Sequence, residues 1–212
     1  MPIGKNLAVE AGEVAYFPEG VPYGPQEGGP DRIELLLQFG GASGLGYLSA
    51  AQLRRARAEL AAEGRFEKGV FHRTSGEGPK NQDAYEAIWR HVTGKPIVYP
   101  KPRYQAPILI RAEAFRWRDE PGAPGVRRKQ LGTFPERGLS LEFITVEAGA
   151  TCAMAPSRAQ RLVFVREGQG SCDGVDYYAQ SAIRLKAGEA ATLASTTETE
   201  VFVIAVADVD SV

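Results

Sequence analysis

Gly149-Ala-Thr-Cys-Ala-Met-Ala155-Pro-Ser157-Arg-Ala-Gln-Arg161-Leu-Val-Phe-Val-Arg-Glu-Gly168 carries the strongest pattern in the chain. Two glycines bracket it. Between them Leu162-Val-Phe-Val165 is an apolar run of strand length, and its unit ends at Gly168. The same grammar repeats on both sides. Leu139-Ser-Leu-Glu-Phe-Ile-Thr-Val-Glu147 is apolar at alternate positions with Ile144 and Val146 added, which predicts a strand covered on both faces. Cys172-Asp-Gly-Val-Asp-Tyr-Tyr178 predicts a hairpin turning at Asp173-Gly174. Val201-Phe-Val-Ile-Ala-Val206 closes the series. Ala106-Pro-Ile-Leu-Ile-Arg111 opens it, with Pro107 tolerated at a strand start or edge. Short strands separated by turns, without strand–helix alternation, predict a sandwich or barrel.

The front of the chain is mixed. Val14-Ala-Tyr-Phe17 reads as a strand ended by a turn at Pro18 and Gly20, and Ile33-Glu-Leu-Leu-Leu-Gln-Phe39 as another strand. The glycine-rich loop 40–46 lacks both the G-x-G-x-x-G pattern and the Lys-Ser/Thr of a phosphate loop, so it reads as a tight connection. Ser49-Ala-Ala-Gln52 is a capping box for a helix expected to stop at Gly64. A second helix is expected over residues 82–92, with Ala84, Ile88 and Val92 on one stripe and Gly94 closing it. Both histidines, His72 and His91, fall in or beside this helical insert and read as surface groups rather than metal ligands.

A hydrophobic content of 43% with 24% charged residues is that of an ordinary globular protein. Lys+Arg 25 against Asp+Glu 26 leaves no basic excess, which argues against nucleic acid as a partner. The cluster Arg127-Arg128-Lys129 reads as a solvated loop face after the Pro/Gly-rich 120–125 segment. Cys152 and Cys172 are the only cysteines, and no secretory leader is read, so free thiols in the cytoplasm are expected. No apolar run approaches the ~18 residues of a membrane span, so no membrane partner is expected.

The glycine spacing and the Pro18-Glu-Gly20 turn resemble the two sequence motifs of the cupin superfamily. The first motif is G, five residues, H-x-H, three or four residues, E, six residues, G. Gly149 and Gly168 keep that spacing, but the His positions hold Ala155 and Ser157 and the Glu position holds Arg161. The second motif is G, five residues, P-x-G, two residues, H. Gly12, Pro18 and Gly20 fit it with Tyr23 at the His position, and a weaker copy begins at Gly188, with Ala194, Thr196 and Thr199 replacing Pro, Gly and His. The resemblance implies an all-β, bicupin-like jelly-roll protein. The expected segments are a partial N-terminal barrel (1–48), a two-helix insert (49–104) and a complete C-terminal barrel (105–212). Little chain precedes Gly12, so the front half of the first barrel is expected to be missing. Its N-terminal strands are then expected to pair with a second protomer in a homodimer, because open strand edges invite pairing.

Family members commonly hold a divalent metal on three His and one Glu, and none of those positions matches here. The expected reading is therefore a protein without metal or cofactor that binds a small molecule, in one form anionic, through Arg161, Ser157, Thr199 and Tyr23. Arg161 would grip a carboxylate or phosphate. Alternatively it pairs with Glu142, Glu198 or Glu200, or emerges at the barrel mouth. A metal-independent isomerase, cyclase or lyase using Tyr23, Tyr16 or Glu142 for proton transfer is the enzymatic alternative. A structural or regulatory dimer without ligand is the third.

Overall fold

The computed structural model describes residues 2–4, 7–23, 33–38 and 46–207. Contacts divide the chain into two compact units, Met1–Leu37 with Pro102–Val212, and Gln38–Lys101. Beside the three expected segments, this is a two-way division in which the N-terminal residues group with the C-terminal ones.

The first unit begins with β1 (Pro2–Gly4), β2 (Leu7–Ala8) and β3 (Glu13–Tyr16), of which β1 and β2 pair with each other. The expected turn follows β3, closed by Val21 N–H donating to the Pro18 carbonyl at 3.2 Å with Gly20 at φ 74°. Residues 33–38, expected as a strand, have no regular structure and are exposed, with Ile33 at 67% and Leu36 at 64% accessibility. A strand forms only against a partner edge, and none is described beside this run. Phe39 and residues 40–45 of the glycine-rich loop lie outside the described residues.

The second unit holds α1 (Ala50–Leu60), β4 (Gly64–Glu67), β5 (Val70–Arg73), β6 (Asn81–Asp83) and α2 (Ala84–Thr93). The capping box of Ser49 and Gln52 is present. The helix stops at Leu60, short of Gly64, which instead opens β4 because the His72 carbonyl and Phe71 ring leave no room for a Cβ there. The insert is therefore not two helices alone but two helices with a three-stranded antiparallel sheet in the order β4-β5-β6. Lys68 and Gly69 at φ 47° and 78° make the two-residue turn between β4 and β5. Asp83 caps α2 through Tyr85 N–H and Glu86 N–H, and Gly94 at φ 73° ends it. Phe71, Leu60, Ala56, Ala87 and Ile88 form the core of this unit.

The chain then returns to the first unit with β7 (Ile108–Arg111), β8 (Arg118–Asp119) and β9 (Val126–Phe134). There follow β10 (Leu139–Val146), β11 (Thr151–Met154), β12 (Gln160–Glu167), β13 (Gly170–Cys172) and β14 (Val175–Tyr177). The last three are β15 (Ala182–Leu185), β16 (Ala191–Ser195) and β17 (Thr199–Val206). Pairing is antiparallel throughout, in sheets of order β15-β12-β17-β10-β9-β8 and β11-β16-β13-β14, while β3 pairs with β7. The first unit is all-β, as expected.

Alternation places Val126, Ile144, Val146, Val163, Val165, Val201 and Val203 of the larger sheet in one cluster with Cys152, Met154, Tyr177, Ala191 and Leu193 of the smaller. Burying each such aliphatic side chain contributes about 1.5–3 kcal/mol. The opposite face of β10 is buried too, with Phe143 against Phe202 at 4.8 Å, so the strand is covered on both sides. Asp173 and Gly174, at φ 48° and 84°, form the expected turn between β13 and β14.

Arg127-Arg128-Lys129 is not a loop but part of β9. The Arg127 and Lys129 cations lie 5.9 and 4.5 Å from the Trp117 ring, just ahead of β8, and Arg128 turns inward. Gly168 stands at φ 92°, and a Cβ there would collide with the Thr199 hydroxyl and the Glu198 carbonyl. Gly168→Ala is expected to destabilise the protein by more than about 1 kcal/mol, read as a lower urea midpoint at unchanged slope.

Candidate functional site at one end of the barrel

Four strand ends meet at one end of the barrel. Met154, the last residue of β11, lies opposite Ala191, the first of β16. Arg161 near the start of β12 lies opposite Leu185, the last of β15. The loops tie together there: Gly188 N–H donates to the Ser157 carbonyl at 2.7 Å, and Arg161 Nη2 donates to the Glu189 carbonyl at 2.7 Å. Ala155, Ser157, Arg161 and Ala191 thus come to one place from two separate hairpins.

Arg161 decides the character of this end. It shares a face with Val163 and Val165 and is only 8% exposed. Its Nε is buried with no hydrogen-bond partner. Burial pushes its guanidinium below the usual arginine range; Glu142 acts against that shift and Arg128 adds to it.

Glu142, expected as an alternative partner of Arg161, is engaged elsewhere. Glu142 Oε1 accepts from Arg128 Nη1 at 3.1 Å, and Glu142 Oε2 accepts from Gln130 Nε2 at 3.1 Å. Arg128 Nε donates to Glu120 Oε2 at 2.6 Å, and its Nη2 lies 3.8 Å from Cys152 Sγ. Arg128 is held above its ordinary range although burial opposes this, because the Glu142 and Glu120 carboxylates favour its charge. The Cys152 thiol is pushed up chiefly by burial, with Arg128 opposing, so it stays a neutral thiol. The other two carboxylates expected as alternatives do not serve either. Glu200 pairs with Arg166, and Glu198 is exposed.

The other expected site residues are placed as follows. Ser157 is at the barrel end, its Oγ accepting from Ala159 N–H at 3.0 Å. Thr199 is not. It opens β17, whereas Arg161 pairs with Ala205 six residues along that strand, roughly 20 Å away at the usual rise per residue. Its hydroxyl donates to the Thr197 carbonyl at 3.0 Å and it is fully buried beside Gly168. Tyr23 is 56% exposed and meets Phe17 edge-on at 5.0 Å in the N-terminal segment. Tyr16 donates to Glu136 Oε2 at 2.5 Å, and burial followed by Glu136 raises its pKa far above the ordinary tyrosine range, so it is a poor proton-transfer group. His72 bonds Asn81 at 2.9 Å and His91 bonds Glu59 at 2.6 Å, both within the second unit.

The strand order of the two sheets is that of a jelly roll, the fold expected from the motif spacing. No family model matches the sequence, and no curated protein matches it. Among solved structures, the chain is similar to an RmlC-like cupin from Shewanella frigidimarina (20% identity, TM-score 0.39, 46% of this chain and 88% of that one). It is also similar to the polyketide cyclase RemF from Streptomyces resistomycificus (17%, TM-score 0.39, 46% and 77%). A third similar structure is KdgF from a Halomonas species (17%, TM-score 0.40, 48% and 94%).

The strand pairing corrects the register of the second motif in this barrel. Counting from Gly188 as the first glycine leads to Thr199, at the wrong end. Counting from Gln180 leads to Lys186 in place of Pro, Gly188 as the second glycine and Ala191 at the His position, beside the first-motif residues. Gln180 at φ 72° and Gly188 at φ 82° hold the turns that flank β15. Reading Gln as a motif glycine needs that positive φ, which the sequence does not display.

The donor set does not fit the family's divalent metal. Its four positions hold Ala155, Ser157, Arg161 and Ala191, and among the described residues no three His, Cys, Asp or Glu side chains converge to hold a cation. Elemental analysis of the purified protein, supplied with Fe, Zn, Mn, Ni or Cu, is expected to find less than about a tenth of an equivalent per chain. A value near one would contradict this donor count.

Proposed function

We propose that the barrel end binds a small anionic molecule without a metal, with Arg161 as its anchor. One observation carries this reading: Arg161 is buried with an unused Nε–H, while Glu142, the carboxylate that favours its charge, has both oxygens engaged by Arg128 and Gln130. A buried guanidinium with an open donor is costly, and a ligand carboxylate, sulfonate or phosphate would offset that cost. Ser157, whose oxygen already accepts a hydrogen bond, keeps its own proton to donate. Small side chains at 155 and 191 occupy less space than the imidazoles of the motif.

A thermal-shift panel of small carboxylates, sulfonates and phosphates tests the reading. Midpoints that rise with ligand concentration in the wild type and not in Arg161→Met support it. An equal rise in both proteins, or none in either, contradicts it. Homodimer formation is proposed alongside, on the exposed apolar run at residues 33–37. A monodisperse monomer in light scattering would contradict that part.

A further inference from the structure

We infer that the barrel end selects a singly charged anion, and that Glu142 is the residue that excludes a second charge. This rests on the anchoring role proposed for Arg161 and adds the class of ligand that role admits.

On the inner face of the larger sheet, Gln130, Glu142, Val203 and Val163 form one cross-strand row. Ser140, Ala205, Arg161 and Leu185 form the next row. Glu142 and Arg161 therefore stand on adjacent rows of one face, separated by β17. Both Glu142 oxygens are tied down at 3.1 Å, and its side chain is 19% exposed, so the carboxylate cannot swing out to water. Arg128 is committed to Glu142 and Glu120 together. Arg128 thus spends its charge on Glu142 and Glu120, while Arg161 has no direct ionic partner among the described residues.

A neutral acceptor would satisfy the Arg161 Nε–H but leave its charge without a direct counterion. One negative charge supplies both. A second negative charge would have no cation of its own and would face the Glu142 carboxylate, which repels it.

Three probes of similar shape separate these cases: dimethyl sulfone (neutral), methanesulfonate (one charge) and methyl phosphate at pH 8, a dianion because its second pKa is about 6. Calorimetric titration of the wild type is expected to show methanesulfonate tightest, with each of the others weaker on the order of ten-fold. In Glu142→Gln both anions are expected to bind more tightly, methyl phosphate more so, shrinking its penalty relative to methanesulfonate to about three-fold or less. Methyl phosphate or dimethyl sulfone binding the wild type as tightly as methanesulfonate overturns the selection while leaving the anchor reading intact. A methyl phosphate penalty that persists in a folded Glu142→Gln removes Glu142 as its cause. If all three fail to bind, the anchor reading fails first and takes this inference with it. Should Glu142→Gln not fold, the order of the three probes on the wild type still decides the selection.

Discussion

Arg128→Ala is expected to cost about 3–5 kcal/mol, the usual penalty for breaking a buried ion pair by removing one partner. The side chain is 21% exposed and bridges Glu120 and Glu142, which are themselves 33% and 19% exposed. Truncation leaves both carboxylates facing each other across the space the guanidinium filled. Gln130 then remains the one described donor to Glu142. Arg128→Lys is expected to recover only part of the loss, because a single ammonium cannot reproduce the fork in which Nε serves Glu120 and Nη1 serves Glu142. Thermal or urea unfolding measures this, and a loss below about 1 kcal/mol for Arg128→Ala would show the network to be well solvated.

Arg161→Met is expected to behave oppositely. The change removes a buried cation with an open donor and replaces it with an apolar side chain of similar length. Such replacements are neutral or stabilising by about 1–4 kcal/mol. The Glu189 carbonyl loses its donor, which takes back about 1 kcal/mol. The net expectation is between no change and a gain of about 2 kcal/mol, together with loss of anion binding. A residue kept against stability is one retained for a ligand. A loss of more than about 1 kcal/mol would make Arg161 a structural residue instead.

The contrast between these two arginines explains what the sequence could and could not disclose. Arg161 was legible because it sits in a spaced motif, between Gly149 and Gly168, on a strand whose Leu162-Val-Phe-Val165 run is plain. Arg128 was not. Local composition around Arg127-Arg128-Lys129 reads as solvent-facing, and the Arg128 partners Glu120 and Glu142 become its neighbours only in the fold. The same reason hid β4, β5 and β6, which are short and polar and lie between two helices with clear caps. The hairpin at Asp173-Gly174 was legible because its turn chemistry is local. Ala191 went unseen because Gln180 and Lys186 stand where the second motif has Gly and Pro, while Gly188 offered a false start that ended at Thr199. The exposed run at residues 33–38 shows the converse: an apolar pattern without a described partner edge makes no strand.

Calorimetric titration of methanesulfonate into the wild type and into Arg161→Met tests the central claim most directly. The account predicts saturable binding at one site per chain in the wild type and an affinity weaker by about ten-fold or more in the variant, the equivalent of about 1.4 kcal/mol. Equal affinities in the two proteins, or no binding to the wild type, would contradict it.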